Sequence, residues 1–194
     1  MLGHANSHLY ILDGNLTTWK RYGGKVEKGM PSNIGMKNYL IEFQGHLVRS
    51  LLQMKANLHH PQEQVVDMRS PMRYAGGAEH RSGLRCGHLP GSFSFPYLAM
   101  FDNKGAWKPI DKIKRALVGI GVGMEYPIIS MCGSGMSAAI LDFALDLMNH
   151  ENHSLYDGSW CEWGADKLFE GEVSLEERPV VTSLYESMDE CDVV

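Results

Sequence analysis

Cys132 is the residue whose type and setting could do chemistry. It follows the apolar run Tyr126-Pro127-Ile128-Ile129-Ser130-Met131 and opens the stretch Cys132-Gly133-Ser134-Gly135-Met136-Ser137. An apolar, helix-length segment from Ala138 to Met148 comes next. That order predicts a strand, a tight glycine turn and a helix, with the thiol at the turn. In this geometry the N–H groups of the turn and the positive end of the helix dipole face the sulfur, which favours the thiolate. A thiolate in a cup of N–H groups is a nucleophile, and the same donors stabilise its anionic adducts. Spacing alone leaves a second reading open: a small buried residue at a strand end.

The elements that must position this turn can be read from periodicity. Asn38 to Phe43, Gln64 to Asp67, Ser92 to Phe95 and Pro127 to Met131 read as strands. His46 to Leu58 places Leu47, Leu51, Met54 and Leu58 on one helical face, and Pro109 to Ile120 starts at a proline and ends among glycines. Ser137 to Asn149 is apolar nearly all round and predicts a buried helix. Strands alternating with helices predict an α/β fold with a parallel sheet flanked by helices. Ligands bind such sheets at the carboxyl ends of the strands, where Cys132 falls. Gly119-x-Gly121-x-Gly123 precedes a strand instead of following one, so it reads as a helix-to-strand turn and not a dinucleotide fingerprint.

The chain has 194 residues, a formal net charge of -5 and 44% hydrophobic residues. That composition suits a globular protein with a core and does not point to nucleic acid. No apolar run is long enough for a membrane span, and the N-terminus lacks the charged start and apolar stretch of a secretory signal. Cys86, Cys132, Cys161 and Cys191 show no CxxC spacing, so free thiols in a reducing cytoplasm are expected. The pairs Cys86/His88 and His150/His153 lack the second ligand pair of a structural zinc site, and neither a metal nor a cofactor is expected.

His8 to Asp13 reads as a strand and Leu16 to Tyr22 as a short helix, too little to bury a core alone. Residues 1–30 are therefore expected to be the C-terminal remnant of another domain plus linker. Residues 31–168 are expected to form the main unit, and residues 169–194 a loosely attached acidic tail in which Pro179 to Leu184 can dock as a strand.

Four segments together resemble the rhodanese family. Val65-Val66-Asp67-Met68-Arg69 is similar to its early strand with an Asp-x-Arg end, and Gly87-His88-Leu89-Pro90-Gly91 to its Gly-His-Ile-Pro-Gly turn. Cys132-Gly133-Ser134-Gly135 is similar to its active loop. Tyr156-Asp157-Gly158-Ser159-Trp160-Cys161-Glu162-Trp163 is similar to a stretch near the end of the catalytic domain in two-domain sulfurtransferases. Leu12 to Trp19 resembles the end of the non-catalytic first domain. The resemblance implies a rhodanese-like catalytic domain, preceded by a remnant of a second rhodanese domain, that carries sulfane sulfur as a Cys132 persulfide.

Gly133 and Ser134 stand where the family's thiosulfate enzymes carry Arg and Lys, as in its 3-mercaptopyruvate enzymes. The implied donor is therefore 3-mercaptopyruvate, with thiosulfate as the alternative. The acceptor would be cyanide, a thiol or a thioredoxin-like protein. The resemblance gives Ser134 the handling of the donor's thiol proton. It gives Arg73 and Arg81 the donor carboxylate, which a guanidinium fork suits. Gly133, Gly135, Met136 and Ser137 complete the loop that holds the terminal sulfur. Met72 replaces the family's glycine before Arg73, and Arg81 lies one residue closer to Arg73 than the pattern has it. Arg69 is expected in a structural ion pair, His88 as a brace for its turn, and Asp157 and Trp160 as supports for the last strand and helix. A dual-specificity phosphatase of the same fold would need an arginine after the cysteine, and Gly133 to Ala139 contain none. A non-catalytic binding or regulatory module is the remaining rival. The family's interdomain cleft is lined from both domains, and the first domain's acidic and histidine residues have no counterparts here.

Overall fold

The computed structural model describes residues 3–4, 8–30, 39–77 and 79–183. Helix α1 (Leu16–Arg21) is capped by Asn15 and has no buried residue. Strand β1 (Val48–Arg49) leads into α2 (Leu51–His59). Strand β2 (Gln64–Asp67) is followed by α3 (Pro71–Ala75), then by β3 (Phe93–Ser94) and α4 (Ile110–Gly119). Strand β4 (Ile128–Met131) runs into the Cys132 turn and α5 (Ala138–Leu147). Strand β5 (His153–Tyr156) and α6 (Ser159–Trp163) close the series.

The five strands form one sheet in the order β1-β5-β4-β2-β3, and every pairing is parallel. Side chains alternate across it. Val66, Ile128, Cys132 and Leu155 face a core built with Ile113 and Leu117 of α4 and Leu141 and Leu145 of α5. Val65, Ile129, Met131 and Tyr156 face the other core, with Met54 of α2 and Trp160 and Trp163 of α6. Each fully buried Ile, Leu or Met contributes roughly 1.5–3 kcal/mol, so the sheet centre is where the fold is held hardest. Cys132 is anchored there.

Several elements differ from the sequence expectation. Residues 8–13 form no strand, and Tyr10, Ile11 and Leu12 are exposed; Ile11 instead shares a groove with Trp107, Phe143 and Leu147. Residues 39–43 form no strand either, and Leu40, Ile41 and Phe43 are exposed; Asn38 lies outside the described residues. The expected helix from His46 begins only at Leu51, because Ser50 and Gln53 make a reciprocal capping box that sets its start.

The segment after Glu170 is not loosely attached as far as Ser183. Arg178 is 0% exposed. Its guanidinium donates to the carbonyls of Glu162, Trp163, Ala165 and Lys167 and to the Glu172 carboxylate. Lys55 reaches Glu172 from α2 at 2.6 Å. Burial opposes charge on Glu172, but the hydrogen bonds from Arg178 and Lys55 more than offset it and hold the carboxyl at about 2. Val181 then pairs with His88 in an antiparallel bridge, as a docked segment would.

Candidate active site

Cys132 is 2% exposed and sits one residue beyond β4. The turn after it is tied down by a residue that sequence reading passed over. Ser159 Oγ accepts the N–H of Cys132 at 3.1 Å and of Gly135 at 3.0 Å, and donates to the Tyr156 carbonyl at 2.8 Å. Ser159 adopts φ +50, a left-handed conformation uncommon for a residue with a Cβ. The strain is borne where one hydroxyl must reach three backbone groups. Two further bonds join the segments: Trp160 N–H to the Cys132 carbonyl and Cys161 N–H to the Gly133 carbonyl, each 2.9 Å. Gly135 has φ +77, and a Cβ there would lie 2.8 Å from an Asp157 carboxylate oxygen, so glycine is required.

The cup of N–H groups is thus smaller than expected, because the Gly135 N–H is already used by Ser159. The N–H groups of Gly133, Ser134, Met136 and Ser137 have no acceptor among the described residues. They are the donors free to meet an anionic sulfur. Met136 is 81% exposed and forms the rim, and Ser137 occupies the N-cap position of α5 without a side-chain cap bond.

Arg73 and Arg81 converge on this turn. A Cβ added to Gly133 would lie 3.3 Å from both terminal nitrogens of Arg73 and 3.3 Å from Nη1 of Arg81. Arg81 Nη2 reaches Ser134 Oγ at 3.5 Å, and its Nη1 contacts Cys161 Sγ at 2.7 Å. Arg73 is held by Glu79, whose side chain is 3% exposed, through Nε at 2.9 Å and Nη2 at 2.7 and 2.9 Å. Arg73 enters from α3, which Ser70 caps and Pro71 starts.

Arg69 forms a buried pair with Asp67 at 2.7 Å and lies 3.9 Å over the Trp160 ring. His88 donates its Nδ1–H to the Tyr74 carbonyl at 2.7 Å and stacks on the Tyr74 ring. Burial pushes the His88 imidazole below its ordinary value, which suits a neutral brace for the turn. Cys132 and Cys161 are free, whereas Cys86 is disulfide-bonded, so the expectation of free thiols fails there. Among the described residues no His, Cys, Asp or Glu cluster is placed to hold a metal, and no helix is long and apolar enough to cross a membrane.

A rhodanese-like domain profile matches residues 50–166, which contain the whole of this site. The chain belongs to the rhodanese family. This rhodanese-like chain is 32% identical over 184 residues to thiosulfate/3-mercaptopyruvate sulfurtransferase 1, mitochondrial, of Arabidopsis thaliana, covering 84% of this chain and 48% of that protein. It is 34% identical over 156 residues to 3-mercaptopyruvate sulfurtransferase of Escherichia coli K12, covering 80% and 55%. Among solved structures, the Tum1 protein of Saccharomyces cerevisiae superposes with a TM-score of 0.66 at 25% identity, covering 77% of this chain and 55% of that one. The chain spans about half the length of the curated relatives it matches.

The rhodanese site thus brings together Cys132, Ser134, Gly133, Gly135, Arg73 and Arg81, all expected from sequence, and adds Ser159, Glu79 and Cys161. Glu79 had a readable signal, a lone carboxylate between two candidate substrate arginines. Ser159 had none beyond its place in the Tyr156–Trp163 stretch.

Proposed function

We propose that this chain is a sulfurtransferase that takes the thiol sulfur of 3-mercaptopyruvate and passes it, as the sulfane sulfur of a Cys132 persulfide, to a thiophilic acceptor. The observation that carries the reading is the convergence of Arg73 and Arg81 on Gly133, beside the nucleophile. A donor carboxylate bound there sets its thiol sulfur toward Cys132. The Cys132 thiolate attacks that sulfur, and the donor's carbon–sulfur bond breaks. Its electron pair leaves on the enolate of pyruvate, which is then protonated. Ser134, in reach of Arg81, handles the donor's thiol proton. The persulfide anion rests against the free N–H groups of Gly133, Ser134, Met136 and Ser137. A thiol, cyanide or a reduced thioredoxin-like protein then attacks the terminal sulfur and restores the Cys132 thiolate.

A neutral Gly133–Ser134 pair in place of two cations supports mercaptopyruvate over thiosulfate. The reaction is covalent and proceeds in two half-steps, so ping-pong kinetics are expected. The test compares thiocyanate production from mercaptopyruvate and from thiosulfate, with Cys132→Ser as control. Sulfur transfer by the Cys132→Ser variant defeats the covalent mechanism. A strong preference for thiosulfate defeats the donor assignment.

A further inference from the structure

The net charge beside Gly133 is less than that of its two arginines alone. Arg69, Arg73 and Arg81 supply three cations, and two carboxylates answer them. Asp67 takes Arg69 at 2.7 Å. Glu79 takes Arg73 at 2.7 Å and lies 3.8 Å from Arg69 Nη1, a buried nitrogen without a hydrogen-bond partner. Among the described residues, Arg81 hydrogen-bonds Cys161 and Ser134 there. Among these five groups the balance is therefore one net positive charge. A third carboxylate, Asp157, meets the turn at Gly135 and lowers the absolute balance in wild type and variants alike, so the one charge that Glu79 contributes is unaffected.

Glu79 also decides which edge of Arg73 is offered. It occupies the Nε–Nη2 edge. The Nη1–Nη2 end is left pointing at Gly133. A planar guanidinium locked on one edge presents the other with little orientational freedom.

We infer that Glu79 is the residue that sets donor specificity by charge: it orients Arg73 and cancels one cation, so that the loop accepts a monoanionic donor and discriminates against a dianionic one. This rests on the proposal that Arg73 and Arg81 bind the donor's anionic group, and it adds a residue that touches no reacting atom. Glu79 acts through Arg73 and is a positioning residue. Removing its charge raises the balance beside Gly133 by one positive charge, and a doubly charged donor gains more from it than a singly charged donor does.

The test measures kcat and KM for 3-mercaptopyruvate and for thiosulfate, with cyanide as acceptor, in the wild type, Glu79→Gln and Glu79→Asp. Glu79→Gln is expected to shift the ratio of kcat/KM values toward thiosulfate by about tenfold, a shift that shrinks as salt is raised. Glu79→Asp keeps the charge but shortens the reach, so it lowers kcat/KM for both donors and leaves their ratio within about threefold. Parallel losses for both donors in Glu79→Gln, or an unchanged ratio, overturn the inference and leave Glu79 a structural residue. So does a tenfold shift of the ratio in Glu79→Asp, which decides the matter on its own if Glu79→Gln does not fold. Wild-type protein that is loaded by neither donor would instead defeat the sulfurtransferase proposal, a separate outcome visible before any variant is made.

Discussion

Replacing Ser159 tests whether the reactive turn is held from outside itself. Ser159→Ala removes one hydroxyl and leaves the Cys132 and Gly135 N–H groups without their acceptor, and the Tyr156 carbonyl without its donor. Ser159 is fully buried, so water does not simply take its place. A stranded buried donor costs about 1–3 kcal/mol, and allowing for partial relaxation the variant is expected to lose about 2–4 kcal/mol of stability. Ser159→Gly loses the same bonds but relieves the left-handed strain at φ +50. It should therefore recover about 1 kcal/mol relative to Ser159→Ala. Both variants release the turn that aims Cys132, so persulfide formation should slow by about ten- to a hundredfold. Urea unfolding gives the stabilities, and single-turnover loading of Cys132 gives the rate. If both variants unfold at the wild-type midpoint and load at the wild-type rate, Ser159 does not hold the turn and the reasoning fails. If Ser159→Gly is the less stable of the two, the strain is misplaced.

Three further outcomes follow from the same geometry. Arg178→Met removes a fully buried guanidinium that serves four carbonyls and leaves Glu172 short of its main partner, so a loss of about 3–5 kcal/mol is expected in denaturant unfolding. Glu172 has a folded pKa lowered from 4.5 to about 2, so its contribution is complete above pH 4.5 and is lost as pH falls toward 2. Glu172→Gln should accordingly flatten the acid limb of a stability-against-pH curve while leaving the limb above neutrality unchanged. Gly133→Ala brings a methyl to 3.3 Å from both arginines, whose far ends can shift, so folding should survive while KM for the donor rises by about tenfold. An unchanged KM would mean that the donor's anion does not sit beside Gly133.

Strands β2 and β4 and the turn were legible in the sequence because their signals are local, whereas the inner strand β5 was not read from periodicity. Four consecutive buried positions in β4 and an apolar α5 need no tertiary knowledge to be read. Of the two edge strands, β3 was legible as Ser92 to Phe95 and β1 was not. β1 has two residues and was absorbed into the helix expected from His46, although Ser50 and Gln53 carried the capping signal that marks the true boundary. Residues 39–43 have the apolar composition of a strand but gain no pairing partner, and composition alone cannot supply one. Arg178 looked like an ordinary residue of an acidic tail because its four carbonyl acceptors are gathered from α6 and the turn beyond it, a grouping that exists only after folding. Ser159 was opaque for a similar reason, being 27 residues from the cysteine it fixes.

The order of these contacts along the chain has a consequence for synthesis. Cys132 is made before the residues that restrain its turn. A growing chain that has exposed Cys132 but not Ser159 has no acceptor in place for the Cys132 N–H, and one that has exposed Ser159 but not Arg178 leaves the end of α6 unsupported. Parallel sheets already close late, because their pairings join distant segments. Here the clamp lies C-terminal to the turn it secures, so the Cys132 turn reaches its described geometry only after Arg178 has been made.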